Sequence, residues 1–218
     1  MKIIAIVQAR LGSTRLPNKV MKPVGADMPM IKLLLSRLIK SKEIDQVILA
    51  TSDESTNQPL VDYVRKLGYI VYQGSENDVL DRYYKASLEY NPDVIVRITG
   101  DCPLVDPEVV DSVIEAYRSM DVDYVSNTNP PTYPDGLDVE VFSTSSLKIA
   151  WKEAKLRSER EHVTSYIRES GKFKISNVVN NKNYSDERWT GDEPEDYELI
   201  QSIFSHFAPR IDFSWREV

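Results

Sequence analysis

The sequence predicts an α/β fold: a mostly parallel central sheet flanked by helices, with a small inserted α+β elaboration. Three observations predict it. Through residue 126, short runs rich in β-branched and aromatic residues alternate with helix-length amphipathic segments, the grammar of parallel strands joined by right-handed crossovers. The first run, Lys2–Val7 (KIIAIV), is apolar at every position after its lysine, as in a strand covered on both faces. After residue 127 the alternation gives way to a turn-rich loop and shorter elements.

In chain order, the strand Lys2–Val7 leads to a helix over Met28–Lys40, whose apolar residues recur at helical spacing. The apolar Gln46–Thr51 (QVILAT) reads as the second strand, and Asn57–Leu67 as a helix stopped by Gly68. Tyr69–Tyr72 (YIVY) is a third strand, followed by a helix over Asp78–Tyr90. Asp93–Ile98 (DVIVRI) is a fourth strand, and Asp106-Pro107 supplies an N-cap and a first-turn proline for the helix Pro107–Ser119. Asp123–Ser126 closes the alternating part. Beyond it, the loop Asn127–Gly136 (NTNPPTYPDG) precedes a strand over Leu137–Ser143, and here the sheet is expected to be interrupted. Two helices follow, about 144–157 and 159–170. Phe173–Val179 and Glu187–Thr190 read as strands, and Pro194–Phe207 as a closing helix with Tyr197, Ile200 and Phe204 on one face. No repeat, low-complexity tract or linker divides the chain, so 1–218 is expected to form a single domain, with 128–185 as its elaboration.

A chain of 218 residues with 41% hydrophobic and 28% charged residues can bury roughly 70% of its unfolded surface without staples. Its longest apolar runs fall far short of the ~20 residues a membrane span requires, which excludes membrane insertion. The amino terminus lacks a signal-peptide pattern and the one cysteine, Cys102, has no partner for an internal disulfide, so a cytoplasmic location is expected. The net charge of −7 argues against nucleic acid as a partner. The charge is uneven, however: residues 1–26 hold Lys2, Arg10, Arg15, Lys19 and Lys22 and no acid. A basic segment on an acidic protein suits a small polyanion.

Ligands of open parallel sheets bind at the carboxyl ends of strands. The loop after the first strand, Gln8-Ala9-Arg10-Leu11-Gly12-Ser13-Thr14-Arg15-Leu16-Pro17-Asn18-Lys19, places three cations around a Gly-Ser-Thr turn. Such a turn can leave backbone N–H groups facing an anion, and with Arg10, Arg15 and Lys19 around it the loop suits a triphosphate. It is not a Walker A loop, and no G-x-G occurs in the chain, so P-loop and dinucleotide-binding readings fall. The fourth strand ends in Thr99-Gly100-Asp101, where a carboxylate after a glycine could hold a hard cation or simply cap a turn.

Those two loops, Q-A-R-x-G-S-T-R-L-P-x-K and R-I-T-G-D-C-P-L, resemble the cytidylyltransferases that make CMP-activated acidic sugars such as CMP-KDO and CMP-sialic acid. The resemblance is strongest to the branch of the spore-coat polysaccharide biosynthesis F type. It extends through P-D-G-L-D-V-E-V-F at 134–142, R-E-H-V-T at 160–164 and R-W-T-G-D-E-P-E-D-Y-E-L-I at 188–200. It implies a Rossmann-like, GT-A-like nucleotidyltransferase fold, Mg²⁺ as cofactor, CTP as donor, an acidic sugar of a surface polysaccharide as acceptor, and a homodimer.

Residue by residue, the resemblance implies that Arg10, Arg15, Lys19 and Asp101 are catalytic and that Asp101 and Asp192 bind the metal. It places Gln8, Arg10, Gly12, Ser13, Arg15, Lys19, Thr51, Ser52, Asp53, Asp78, Arg82 and Arg97 at the nucleotide, although Asp78 can also be read as a helix cap. The middle of the chain departs from the KDO and sialic acid enzymes, and there Asp135, Asp138, Glu140, Arg160 and His162 are the polar candidates for the acceptor. No general base is evident. Two alternatives stand beside this reading: a nucleotidyltransferase acting on a sugar phosphate or polyol phosphate, and a GT-A-type glycosyltransferase. The second would use Asp121-Val122-Asp123 as its D-x-D metal motif.

Overall fold

The computed structural model describes residues 1–25 and 27–218. Among them the chain forms β1 (Ile3–Gln8), the short hairpin β2 (Pro23–Val24) and β3 (Met28–Pro29), α1 (Met30–Leu38), β4 (Gln46–Ser52) and α2 (Gln58–Lys66). It continues with β5 (Ile70–Gly74), α3 (Val79–Tyr90), β6 (Val94–Thr99), α4 (Pro107–Ser119) and β7 (Tyr124–Ser126). The remainder holds β8 (Glu140–Ser143), α5 (Thr144–Glu153), α6 (Arg157–Glu161), α7 (Ser165–Glu169), β9 (Ile175–Asn177) and α8 (Pro194–Phe207).

Seven strands form one sheet in the order β5-β4-β1-β6-β8-β7-β9. β1 lies at its centre, parallel to β4 on one side and to β6 on the other. Because side chains alternate across a strand, β1 divides the core in two. Ile3, Ala5 and Val7 pack with α1, α2, α4 and α8, whereas Ile4 and Ile6 pack with α3, α5 and α7. The all-apolar first strand thus has the two-sided cover its sequence predicts.

The helices over Pro107–Ser119 and Pro194–Phe207 match their predicted limits, each opened by its proline. Three expectations are corrected. The sheet does not stop after residue 127: β8 enters antiparallel between β6 and β7, and β9 pairs parallel with β7, so the elaboration widens the same sheet. Glu187–Thr190 forms no strand; its one ladder contact is an isolated parallel bridge between Asp135 and Arg188. The helix expected over 159–170 is broken into α6 and α7 at Val163, which adopts φ 57. A β-branched residue in the left-handed region is strained by about 1–3 kcal/mol. The break lets the Thr164 hydroxyl reach the Glu140 carboxylate at 2.6 Å while the Val163 side chain stays buried.

Candidate active site

The carboxyl ends of β1 and β6 lie side by side where the sheet order reverses, the usual ligand position in open α/β sheets. Gly100 makes the approach of their loops possible: its N–H donates to the Gln8 carbonyl at 2.7 Å. A Cβ there would lie 2.6 Å from that of Ala9. After β1 the chain turns out over the sheet and is pinned by buried Leu16 and Val20. The Leu11 N–H donates to buried Asn57 at 2.8 Å, which ties the loop to the segment before α2. Among the described residues, no acceptor is found for the backbone N–H groups of Gly12, Thr14 and Arg15.

Lys19 and Arg15 meet two distant carboxylates. Lys19 Nζ lies 2.6 Å from Asp101 Oδ2 and 2.5 Å from Asp192 Oδ1. Arg15 reaches Asp192 at 3.4 Å and Glu193 at 2.8 Å. Asp192 arrives here because the Gly191 N–H donates to the Asp101 carbonyl at 2.8 Å and the α8 N-terminus follows directly. Asp196 holds that terminus, accepting from the Asp192 and Glu193 N–H groups at 3.0 and 2.9 Å. Burial disfavours both charges of the Lys19–Asp101 pair, yet their mutual attraction prevails: the ammonium is raised above its ordinary range and the carboxyl held below its own.

Two cavities open onto this end of the sheet. The first, about 560 Å³, is lined by Gln8, Arg10, Gly12, Ser13, Arg15, Lys19, Arg82, Asp101 and Asp192, all singled out by sequence, and by Glu76 and Arg157, which were not. The second, about 500 Å³, is lined by Arg97, Asp138, Glu140 and His162 together with Arg168 and Thr164. They share Thr99 and His162.

Thr51, Ser52, Asp53, Asp78, Asp135 and Arg160 lie outside these walls. Thr51 and Ser52 are buried at the end of β4, with Thr51 Oγ1 unpartnered among the described residues, and Asp53 follows them into an exposed turn. Asp78 caps α3 and is paired with Arg160 at 2.6 Å, so a nucleotide candidate and an acceptor candidate hold each other. Asp135 is engaged by Arg188 at 2.6 Å. Arg97 faces the second cavity, donating to Gln8 at 3.1 Å and pairing with Glu140. Asp121 and Asp123 precede β7, at the opposite end of the sheet from the cavities, and are engaged by Lys174. The D-x-D motif is therefore not part of this site.

Sequence reasoning missed Arg188, Asp196, Glu76 and Arg168. Arg188 forks onto Asp196 at 3.0 and 3.1 Å and approaches Asp192 at 3.5 Å, which orients the loop carrying Asp192. Its spacing of four from Asp192 was a signal. Glu76 pairs with Arg10, and burial of its carboxyl is outweighed by the nearby Ser52 hydroxyl and the Arg10 guanidinium, which hold it below its usual range.

Among the described residues no group of three or more His, Cys, Asp or Glu side chains converges as a metal site. The residues that could hold a cation here are Asp101 and Asp192, whose oxygens both meet Lys19 Nζ. Two hard carboxylates with room for phosphate and water suit a divalent cation.

The profile of the family described as Cytidylyltransferase matches residues 4–204. An uncharacterized protein of Methanocaldococcus jannaschii is 44% identical over 95% of this chain and 85% of its own length. The Bacillus subtilis spore coat polysaccharide biosynthesis protein SpsF is 36% identical over 99% of this chain and 92% of its own. The solved structure of a cytidylyltransferase from Leptospira borgpetersenii superposes with a TM-score of 0.94 at 35% identity, covering 100% of this chain and 92% of that one. With the family profile spanning nearly the whole chain and a mostly parallel nucleotidyltransferase sheet to match, this chain belongs to the cytidylyltransferase family.

Proposed function

We propose that the chain transfers CMP from CTP to a hydroxyl of an acidic sugar, releasing pyrophosphate, with Mg²⁺ as the metal and a surface polysaccharide as the destination. One observation carries the reading: Asp101 and Asp192, from opposite halves of the chain, converge on Lys19 beside a loop that offers cations and unengaged N–H groups. A triphosphate laid along that loop would meet Arg10, Arg15 and Lys19 where charge accumulates on the departing pyrophosphate. Lys19 holds the two carboxylates together in the free protein. A divalent cation held by Asp101 and Asp192 would neutralise phosphate charge and polarise the α-phosphate.

The second cavity suits the acceptor, because it adjoins the first at Thr99 and His162. Its Arg168 has a buried Nε without a partner among the described residues, which favours an anionic acceptor. The polysaccharide destination follows the name of the Bacillus subtilis relative. The same reading takes the chain as a homodimer joined through 128–185, where exposed Leu156, Ile175 and Val179 are available for burial. The test is pyrophosphate release from CTP, ATP, GTP and UTP against sugar acids, sugar phosphates and polyol phosphates. CTP with a sugar acid is the expected combination. Equal release from all four nucleotides, or sugar transfer from a nucleotide sugar, would contradict it.

A further inference from the structure

The segment Pro134–Glu140 carries three carboxylates, and the fold treats each differently. Asp135 is held by Arg188. Glu140 is enclosed by Arg97, by the Tyr124 hydroxyl at 2.6 Å and by Thr164 at 2.6 Å. Asp138 lines the second cavity and has neither a hydrogen-bond nor an ion-pair partner among the described residues. A half-buried carboxylate without a partner is costly to maintain, and Asp138 lines only the second cavity, which meets the first at Thr99 and His162.

We propose that Asp138 is the general base of the transfer, which rests on the CMP-transfer reading above. The acceptor hydroxyl gives its proton to an Asp138 carboxylate oxygen. The freed oxygen pair forms the new bond to the α-phosphorus, and the bond to the bridging oxygen breaks with its electrons leaving on pyrophosphate. The carboxyl then returns the proton to solvent.

The surroundings tune the group for this role. Burial, then the like charges of Asp135 and Glu140, outweigh Arg97 and, with Asp101 adding to them, push the Asp138 carboxyl up to about 7. His162, Arg168 and Glu169 are the other titratable groups of the same cavity. A base near neutral is deprotonated often enough and still strong enough to accept a proton.

The test compares Asp138→Asn and Asp138→Glu with the wild-type chain, using CTP, Mg²⁺ and whichever compound of the acceptor panel the wild type turns over. Asp138→Asn is expected to lower kcat by about 10²–10⁴-fold and to abolish the acidic limb of the kcat–pH profile. Its calorimetric Kd for CTP is expected to stay within about twofold of wild type, with Asp138→Glu regaining part of the rate. A kcat within about threefold of wild type, a loss confined to the acceptor KM, or an unchanged acidic limb would overturn the proposal. A wild-type chain that releases no pyrophosphate with any nucleotide would instead sink the transfer reading. Carbon-13 NMR of aspartate-labelled protein is independent of turnover. A carboxyl titrating near pH 7 that vanishes in Asp138→Asn supports the assignment, and the absence of any carboxyl titrating between about pH 6 and 8 refutes it.

Discussion

The two cavities are built on opposite electrostatic plans. In the first, cations and carboxylates from distant parts of the chain meet at a rim that is open at Arg15, whose side chain is 58% exposed, and deepens to Lys19, which is 13% exposed and bridges two acids. In the second, buried Glu140 pairs across adjacent strands with Arg97 of the cavity wall and is locked by Tyr124 and Thr164. Burial opposes the charges of both, but each raises or lowers the other in the ion-paired sense, so the Glu140 carboxyl sits below its usual range. The difference teaches where stability and turnover reside. Ion pairs at an exposed rim contribute little to folding, whereas a pair locked by further hydrogen bonds shapes a wall.

The largest effect expected from breaking this contrast is on folding. Glu140→Ala takes the charge partner from Arg97, which keeps Gln8, and the acceptor from the Tyr124 and Thr164 hydroxyls, a loss of about 3–5 kcal/mol. A thermal melt should show a fall of roughly 10 °C or more. A Tm within a few degrees of wild type would mean that the pair is not locked. Next in size is Lys19→Ala. It should reduce turnover by roughly 10²-fold, comparable to losing one charge-stabilising donor. Wild-type kinetics in this variant would remove Lys19 from the phosphate site.

The smallest effect distinguishes Asp138 from both. Its carboxyl is raised to about 7 in the folded chain, above the usual aspartate value of about 3.9 in the unfolded one. Between those values the folded state binds the extra proton, so this group's contribution to stability is complete below about pH 4 and declines as pH rises through 7. Asp138→Asn should therefore raise Tm at pH 8 by about 2–4 °C, for a gain on the order of 1 kcal/mol, and raise it much less at pH 5. Equal Tm changes at the two pH values would show that the Asp138 carboxyl is not perturbed.

Local signals carried most of the first half of the chain. Asp106-Pro107 fixed a helix start because an aspartate can cap the terminus and a proline, having no N–H to leave unpaired, fits the first turn. The cationic loop after β1 was legible because it is contiguous. What escaped depends on distant pairing. The direction of β8 is set by its partners β6 and β7, and the break at Val163 by a hydrogen bond from Thr164 to Glu140 on another element. No local pattern joins Asp101 to Asp192; the family resemblance alone did so. Arg188 and Asp196 act by positioning Asp192, a role that shows only once the α8 N-terminus is folded against β6.

The central claim is that Asp101 and Asp192 share one cation with the bound nucleotide. Calorimetric titration of CTP across a Mg²⁺ series, in wild type, Asp101→Asn, Asp192→Asn and the double variant, tests it most directly. Each single variant should need more Mg²⁺ for the same affinity, and the double variant should fall short of the summed losses because both residues serve one ion. Mg²⁺ dependence unchanged from wild type in both single variants would contradict it.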